Sequence, residues 1–478
     1  MNKRSVGWPA AAWILIICLA TAIVYGPSLR FFFSQDDFVF LARAAAINSW
    51  QDLVRTFLAP DHFYRPVPRI ILFLAQWRLF GLNAAAFHLV SVGLHALNAS
   101  LLFLLCRRLF GRARMAGLAG LLYATHHVPF LAVYWVSGIQ DLVATTFLLG
   151  SLHLYLRSVA MQHAGWRALS LAAYGLALLS KEIAVTFPFL LVLVAYVDSL
   201  RAGRRPRLDT LAAHGLSYGA FLVVYLVIRS QKAASQILGE GPYAWSLDPG
   251  TGLGNLYTYL CDALYVRDWI GTAPGRAAGV CTLFVAALLI TFWFSRRDRW
   301  VITVGVGWFL IALSPVLFLS QRAYSFYAYF PLAGIVMALS ALICLILDAI
   351  RLPSTSTTLP FRVAKGVVLS LLLMVWLWFS AAQVRAMEVK DPAGIISKSV
   401  LARRAATEVQ ALYPTLAEGS TLLVVGLTER DVWALGHGDL FRLYYPQAEV
   451  VLRTGGQEDQ ADAVERGTGY VYDFGGGE

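Results

Sequence analysis

Long apolar runs separated by short polar stretches dominate the sequence. A helix that crosses a bilayer needs about 20 mostly apolar residues, and twelve runs approach or reach that length. They are residues 9–29, 66–80, 87–106, 115–130, 139–157, 166–181, 184–198, 209–229, 277–295, 300–320, 323–348 and 365–386. The pattern predicts an all-α polytopic membrane domain over residues 1–386.

Basic clusters lie between these runs, as the positive-inside rule expects of cytoplasmic loops. From Arg107 onward, successive clusters are separated by two runs. The runs 66–80 and 87–106 both lie between the acidic stretch at Asp36 and Arg107, so one of them cannot cross the membrane. Run 66–80 is short and opens with Pro66, so we interpret it as an interfacial or re-entrant helix. About eleven spans remain, with the N-terminus in the cytoplasm.

Two long loops then lie on the outer side of the membrane. The first, residues 30–86, contains apolar residues at helical spacing over 50–58, which predicts a helix on the membrane surface. The second, residues 230–276, is rich in Gly, Tyr and Asp, and a short helix is predicted at 253–265. Both loops offer polar groups at the same membrane face.

The pattern changes after the last run. Residues 387–478 contain acidic stretches and two short apolar runs, Thr421–Val425 and Val450–Arg453, which predict strands. We therefore expect a small α/β domain on the extracytoplasmic side. The active site is expected on the same side, in a protein of the cytoplasmic (inner) membrane.

Composition agrees with this picture and excludes other classes. Hydrophobic residues make up 58% and charged residues 14% of the chain, with a mean hydropathy of +0.62, whereas soluble domains are about 25% charged. The net charge of +11 follows from the cytoplasmic loops, so nucleic acid is not an expected partner. Lys3 and Arg4 before the first run resemble a signal sequence without a cleavage site, which predicts an uncleaved first span.

The five cysteines are scattered and show neither CxxC nor Cys/His spacing. Neither a disulfide framework nor a zinc site is indicated.

Polar residues inside the apolar runs are costly in hydrocarbon and so carry information. His88, Ser91, His95 and Asn98 follow spacings of three, four and three, which places them on one helical face. They form either a structural hydrogen-bonded stripe or part of a site, and His88, nearest the outer surface, is the better functional candidate.

Several charged residues map to the outer face under this one topology. They are Asp36, Asp37, Arg65, His126, Asp141, Lys181 and Arg322. Arginine forms paired hydrogen bonds with phosphate and lysine supplies a point charge. A nearby carboxylate suits removal of a proton from a hydroxyl group.

The two adjacent aspartates are expected to differ in role. Ser34-Gln35-Asp36-Asp37 matches a capping box, with Ser34 as N-cap and Asp37 as the third helical residue. Neighbouring helical side chains project about 100° apart, so both carboxylates cannot easily serve one atom. Asp36 is therefore the preferred general base, with Asp37 as helix cap and helper.

An ordered series of motifs extends over roughly residues 10–335. It consists of Asp36-Asp37, Tyr64-Arg65-Pro66, Phe87-His88 with Asn98, Leu122 to Pro129, Trp135 to Asp141, Leu179 to Glu182, and Gln321-Arg322 to Pro331. The series resembles the GT-C glycosyltransferase superfamily, which uses polyprenyl-phosphate-linked sugars. It is most similar to the protein O-mannosyltransferase branch, including the transmembrane O-mannosyltransferases with tetratricopeptide repeats.

The resemblance implies a GT-C fold with a catalytic aspartate in the first outer loop. It implies that Asp36 is the base and that Arg65 and Arg322 hold the donor phosphate. Lys181 is a further candidate for binding that phosphate. Further candidates for lining the site are His62, Tyr64, His88, His126, His127, Asp141, Glu182 and Tyr324. No cofactor is required, although His126, Asp141 and Glu182 are candidate ligands for a divalent metal.

The function expected from the sequence is inverting transfer of a sugar from a polyprenyl-phosphate donor to an acceptor hydroxyl. Membrane lipids are further partners, and the acceptor is left open among protein, lipid and glycan. Two alternatives remain: a transporter or flippase of a lipid-linked sugar, and a polysaccharide polymerase or ligase. Transporters usually show repeated halves and broken helices near the midplane, whereas here the charges gather at one membrane face and no half-repeat is visible.

Overall fold

The structure, a computed structural model, describes residues 9–59, 64–206, 208–237, 243–349, 359–454 and 469–474. The candidate site residue His62 lies outside the described residues, as do Lys3 and Arg4.

The described chain is mostly helical, and its N-terminal half forms ten α-helices. They are α1 (Ala10–Tyr25), α2 (Asp36–Ala45), α3 (Trp50–Leu58), α4 (Phe73–Phe80), α5 (Ala84–Phe110), α6 (Ala113–Thr125), α7 (Phe130–Tyr134), α8 (Ile139–Met161), α9 (Ala164–Leu178) and α10 (Phe187–Arg201). A π-helical segment, Val67–Leu72, leads directly into α4. The predicted surface helix is present as α3, and it begins with a capping box formed by Ser49 and Asp52.

The second half adds ten helices and three strands. The helices are α11 (Leu208–Ile237), α12 (Pro249–Ala263), α13 (Trp269–Thr272), α14 (Pro274–Phe294), α15 (Arg299–Leu313), α16 (Leu332–Ala349), α17 (Leu359–Lys390), α18 (Ile395–Leu412), α19 (Glu429–Ala434) and α20 (Asp439–Tyr444). The strands are β1 (Thr421–Leu427), β2 (Glu449–Thr454) and β3 (Gly469–Asp473).

Seven helical segments of the described residues are long and apolar enough to cross a membrane, which identifies an integral membrane protein. They are Ala10–Arg30, Ala84–Phe110, Val136–Met161, Glu182–Arg201, Pro274–Phe294, Leu332–Ala349 and Ser370–Lys390. The other four expected spans correspond to α6, α9, α11 and α15, whose apolar parts are shorter. The count of eleven spans and the cytoplasmic N-terminus stay predictions.

Three predicted spans end or begin at the wrong residue, and prolines explain each error. The run 115–130 stops being helical at Thr125, because the chain turns before Pro129 and restarts as α7. The run 300–320 ends at Leu313, close to Pro315. Helix α16 begins only at Leu332, directly after Pro331, and not at 323. Proline lacks the backbone N–H and disfavours helical geometry in the residue before it.

The C-terminal strands form a parallel sheet in the order β2-β1-β3. Thr421 of the central strand aligns with Glu449 on one side and Gly469 on the other. The two predicted strands are present, and β3 was not expected from the sequence. The predicted domain boundary after residue 386 falls inside α17, which continues to Lys390.

One hydrophobic core joins this C-terminal unit to the helical bundle. It extends from α1 and α5 to Leu440 and Phe441 of α20 and Leu422 of β1. Helix α2 packs against α20, so the C-terminal unit lies on the loop that carries the two aspartates. This contact brings residues more than 350 positions apart to the candidate site.

Candidate active site

The start of α2 differs from the predicted capping box. The helix begins at Asp36, and the residue before it, Gln35, has a φ of 56°, so the prediction that Ser34 is the N-cap is wrong. The Gln35 backbone N–H donates to the Ala434 carbonyl of the C-terminal unit at 3.1 Å. A contact between distant parts of the chain therefore fixes where this helix starts, which a local motif cannot show.

Asp37 is fully buried and its carboxylate is held by hydrogen bonds. One oxygen accepts from the Ser34 backbone N–H at 2.9 Å. The other accepts from the Ser137 backbone N–H at 2.7 Å and from the Ser137 hydroxyl. Burial raises the pKa of Asp37 to about 7, while the hydrogen bonds from Ser137 and Ser34 act to lower it. Asp37 thus joins α2 to the turn that precedes α8.

Asp36 is only half-buried, and its carboxylate faces a cavity of about 290 Å³. Burial raises the pKa of Asp36 above its ordinary value. Arg69 acts to lower that pKa, as do the Trp433 indole as a hydrogen-bond donor, His437 and Lys398. The last three residues belong to the C-terminal unit. The two neighbouring aspartates therefore have different surroundings, and Asp36 is the one open to a ligand.

Charged side chains converge on this cavity from five separate segments. Those of the described residues that line it are Asp36, Asp141, Glu182, Arg65, Arg69, Lys181 and Arg229. Four cations against three carboxylates leave the lining with an excess positive charge. Aromatic walls complete it, formed by Trp135, Tyr243, Phe326 and Tyr327. The cavity is suited to an anionic ligand with an apolar or sugar-like neighbour.

A branched ion-pair network fixes one wall of the cavity. The guanidinium of Arg65 forms a fork with the Glu182 carboxylate, with Nε donating to Oε1 at 3.0 Å. Its Nη1 donates to Gln140 at 2.6 Å. Arg229 donates to the same Glu182 carboxylate and, at 2.7 Å, to the Tyr225 hydroxyl. One carboxylate thus holds two guanidinium groups side by side at the cavity.

A second ion pair lies beside the first. Lys181 donates to the Asp141 carboxylate, and both side chains are buried. The Lys181 ammonium also lies 5.0 Å from the centroid of the Phe326 ring and 5.8 Å from that of Tyr327. A buried cation with one carboxylate and two aromatic faces keeps a fixed position in the cavity.

Arg322 and two predicted tyrosines lie outside the lining of the cavity. The Arg322 guanidinium rests 4.7 Å from the ring centroid of Tyr243 and 5.7 Å from that of Tyr324. Tyr243 lines the cavity, so Arg322 is one side chain removed from it. Tyr64 donates its hydroxyl to the Phe57 carbonyl at 2.9 Å and lines a neighbouring pocket beside Arg65.

Three of the predicted histidines, His88, His126 and His127, are buried in the packing and do not line the cavity. His88 is fully buried within α5. The two nitrogens of the His126 ring contact the Ala263 carbonyl and the Val128 N–H, both at 3.2 Å. His127 stacks on His126, with ring centroids 4.7 Å apart. Packing against α12 and Tyr265 thus accounts for their position.

The candidate metal ligands do not come together. His126 packs away from the cavity, while Asp141 and Glu182 are each held by cations. Among the described residues, no group of three His, Cys, Asp or Glu side chains is arranged to hold a metal ion.

Several lining residues were missed by sequence reasoning. Arg229 ends a long apolar run and Arg69 interrupts a shorter one. An arginine at such a position is costly in hydrocarbon, so both could have been identified as candidate site residues. Ser137 and the pair Lys398 and Trp433 offered no such signal, since their relation to the aspartates depends on packing between distant segments. The Lys398 ammonium lies 3.8 Å from the Trp433 ring centroid.

Comparison with known proteins agrees with the motif series. Residues 66–228 match the family model described as dolichyl-phosphate-mannose-protein mannosyltransferase. Protein O-mannosyl-transferase tmtc2 of Xenopus laevis is 34% identical over 111 residues, which are 23% of this chain. The chain spans 13% of the length of that curated relative. The matched family segment includes Asp141, Lys181 and Glu182 but neither Asp36 nor Arg65.

The fold matches that of solved structures over nearly the whole chain. The crystal structure of ArnT from Cupriavidus metallidurans bound to undecaprenyl phosphate has a TM-score of 0.50 and 16% sequence identity. The alignment covers 97% of this chain and 90% of that one. The apo structure of the same protein has a TM-score of 0.49 and 17% identity. The predicted resemblance to the GT-C superfamily, in its O-mannosyltransferase-like branch, is confirmed.

Proposed function

We propose that this chain, which combines a GT-C fold with a mannosyltransferase-like segment, transfers a sugar from a polyprenyl-phosphate donor to an acceptor hydroxyl. The observation that carries the proposal is the cavity that Asp36 lines together with four cationic side chains and two further carboxylates. A general base and an anion site in one enclosed space are the two requirements of this reaction. The names of the relatives, a dolichyl-phosphate-mannose enzyme family and an undecaprenyl-phosphate complex, support the class of donor.

Asp36 would act as the general base. Its carboxylate takes the proton of the acceptor hydroxyl, and the freed oxygen attacks the anomeric carbon of the sugar. The bond from that carbon to the phosphate oxygen breaks, and its electron pair leaves with the polyprenyl phosphate. Attack opposite the leaving group inverts the anomeric centre. Asp37, saturated by Ser34 and Ser137, would hold α2 in the orientation that presents Asp36.

The leaving phosphate would be stabilised by Arg65, Arg229 and Lys181, with Arg322 reaching in from the rim. Glu182 and Asp141 keep these cations in place before the donor binds. Charge that develops on the phosphate in the transition state would meet cations that are already in place. Such groups stabilise charge more effectively than mobile water does.

The lipid chain of the donor would lie in an apolar groove beside the cavity. The groove is lined by Phe189, Val192 and Leu193 of α10, Ala212 and Gly215 of α11, and Leu310 of α15. Its lining ends at Ser314, and the next two residues, Pro315 and Val316, line the charged cavity. The groove and the cavity therefore adjoin at the end of α15, which supports placing the lipid chain in the groove when the phosphate occupies the cavity.

We place the site and the C-terminal unit on the same side of the membrane. The hydrogen bond from Gln35 to Ala434 and the packing of α2 on α20 support this placement. The topology proposed from the basic clusters makes that side extracytoplasmic, with residues 1–386 as the membrane domain and 387–478 as the smaller unit. The acceptor is a hydroxyl on a protein, a lipid or a glycan.

The test uses the purified protein in vesicles with a polyprenyl-phosphate sugar labelled on the sugar. Release of unlabelled polyprenyl phosphate, together with label on an added acceptor fraction, is the expected result. Intact labelled lipid that appears on the opposite leaflet, without release of polyprenyl phosphate, would instead identify a transporter. Protein in which Asp36 is replaced by Asn serves as the matched inactive control.

A further inference from the structure

Two buried cysteines on neighbouring helices, Cys261 and Cys281, meet in the structure. The sulfur atoms of Cys261 and Cys281 lie 3.6 Å apart. Cys261 is fully buried near the end of α12, and Cys281 is 6% exposed in the second turn of α14. Both belong to a small separate core with Val266 and Ala277.

We propose that Cys261 and Cys281 form a disulfide bond that links α12 to α14 on the extracytoplasmic side. The extracytoplasmic location of the pair rests on the sidedness given under the proposed function, whereas the contact between the two sulfur atoms does not. Disulfides persist in extracytoplasmic compartments and are rare in the cytosol. The sulfur atoms are already in contact, and a small movement of the two side chains brings them to the bond length of about 2 Å.

The reaction removes two hydrogens from the pair. The Cys261 thiolate attacks a sulfur of an external disulfide, for example a protein disulfide donor, and releases one thiol. The Cys281 thiolate then attacks the mixed disulfide at the Cys261 sulfur and releases the second thiol. The oxidant gains the two electrons and two protons that the cysteines lose. Because the pair is buried in the finished fold, we expect the exchange to occur while the chain folds.

The bond would stabilise a wall of the active-site cavity. Asp262, next to Cys261, pairs with Arg267. Arg267 in turn donates to the Ala323 carbonyl at 2.8 Å and to the Ser325 hydroxyl at 3.2 Å. These contacts hold the turn that carries Phe326 and Tyr327 into the cavity. A covalent link at Cys261 would therefore fix the end of α12. That helix end holds the turn through Asp262 and Arg267.

Two other buried cysteines supply internal controls. Cys106 in α5 and Cys344 in α16 are both buried. Neither contacts a second cysteine among the described residues. Under the proposed topology both lie toward the cytoplasmic end of their helices. They should therefore stay reduced in the same preparation in which Cys261 and Cys281 are oxidised.

The experiment determines the thiol state of the full-length protein in its own membrane. Cells are lysed in denaturant with light N-ethylmaleimide, the protein is reduced, and the newly exposed thiols are labelled with heavy N-ethylmaleimide. Mass spectrometry should find heavy label on Cys261 and Cys281 and light label on Cys106 and Cys344. Light label on Cys261 and Cys281 overturns the proposal.

Single substitutions make the result specific to the pair. In Cys261→Ser, Cys281 should carry the light label, because its partner is absent. In Cys106→Ser, the matched control, Cys261 and Cys281 should both remain heavy. Heavy label on Cys281 in the Cys261→Ser variant would mean a different partner and would also overturn the proposal. No sugar donor enters this experiment, so its failure is distinguishable from a failure of the transfer assay.

Discussion

Two neighbouring aspartates with the same chemistry have different surroundings in this protein. Asp37 is enclosed and fully hydrogen-bonded, while Asp36 faces the cavity and the Trp433 indole. Two successive residues at the start of α2 thus differ: the Asp37 carboxylate is enclosed, and the Asp36 carboxylate, the proposed general base, lines the cavity. The base must be ionised to accept a proton, so turnover should fall as the pH decreases through the pKa of Asp36, which burial has raised.

Trp433→Phe tests this assignment at the level of pH dependence. The substitution keeps an aromatic ring but removes the donor that acts to lower the pKa of Asp36. The pKa of Asp36 should rise further, and the acid limb of the kcat/KM profile should move to higher pH while the plateau is retained. Trp50→Phe, a change at a largely exposed residue on α3, should leave the profile in place. Superimposable profiles for Trp433→Phe and the unsubstituted protein would contradict the role of Trp433.

Asp37→Asn tests the structural role of the second carboxylate. The amide retains one acceptor oxygen for Ser137, but its NH₂ group then faces the Ser34 N–H, which is left without an acceptor. A buried group without its partner costs about 1–3 kcal/mol, so the melting temperature should decrease at pH 8, where the native carboxylate is ionised. Asp36→Asn should melt like the unsubstituted protein. An unchanged melting temperature for Asp37→Asn would show that Ser34 and Ser137 contribute little to its stability.

The residues that could be predicted from the sequence are those with a local signal. A charged residue at the end of an apolar run stands out, and Asp36, Arg65, Asp141, Lys181 and Glu182 all line the cavity. Buried histidines give the same signal when they only satisfy backbone groups, as His126 does. Sequence patterns cannot separate these cases, because the hydrogen-bond partner of a buried polar group lies on a different segment.

Among the elements, the contact between α2 and the C-terminal unit positions Asp36, the proposed base. Gly436 makes that contact possible, since it has a φ of 60° and lies against Phe38. An added Cβ atom would be 2.6 Å from the Phe38 Cβ and 3.2 Å from the Gln35 carbonyl oxygen. Backbone and side-chain positions of α2 would have to shift to admit it.

Gly436→Ala should therefore impair transfer more than it impairs folding. Displacement of a catalytic group by about 1 Å can reduce a rate by about 10²-fold, and a loss of this order is expected in the donor turnover assay. Gly419→Ala is the matched control, because Gly419 has a φ of 73° but no atom within 4 Å of an added Cβ. Both variants carry left-handed strain of about 1–2 kcal/mol, so equal turnover would show that the contact with α2 is dispensable.

The elements themselves were largely predictable, and their ends were not. Apolar runs locate helices well, because a span needs a long uninterrupted apolar segment. The end of α15 at Leu313 and the start of α16 at Leu332 depend on nearby prolines. The effect of a proline is local, so these two boundaries could have been predicted from the sequence. Strand β3 has five residues, and among the described residues its one strand partner is β1. Tyr470, Val471 and Tyr472 favour a strand, but so short a run cannot be assigned without its partner.

At the scale of the whole molecule, the C-terminal unit packs against the helix that carries Asp36. The sequence suggested a separate small domain, since composition changes after the last apolar run. The structure instead joins it to the bundle through one core and through the hydrogen bond that fixes the start of α2. Long-range packing of this kind leaves no periodic trace in the sequence. It brings Lys398, Trp433 and His437 close to Asp36, and under the proposed function they are candidates for shaping the acceptor side of the site.

Donor turnover and donor binding by Asp36→Asn, measured side by side, test the central claim most directly. Asparagine keeps the shape of the side chain but cannot accept the proton, so release of polyprenyl phosphate should fall about 10²–10⁴-fold. Affinity for the lipid-linked donor should be unchanged, since the cations that would hold its phosphate remain. Asp268→Asn, a change at an exposed carboxylate that pairs with Lys390 outside the cavity, should retain full turnover. Turnover by Asp36→Asn within a few-fold of the unsubstituted protein would contradict Asp36 as the base.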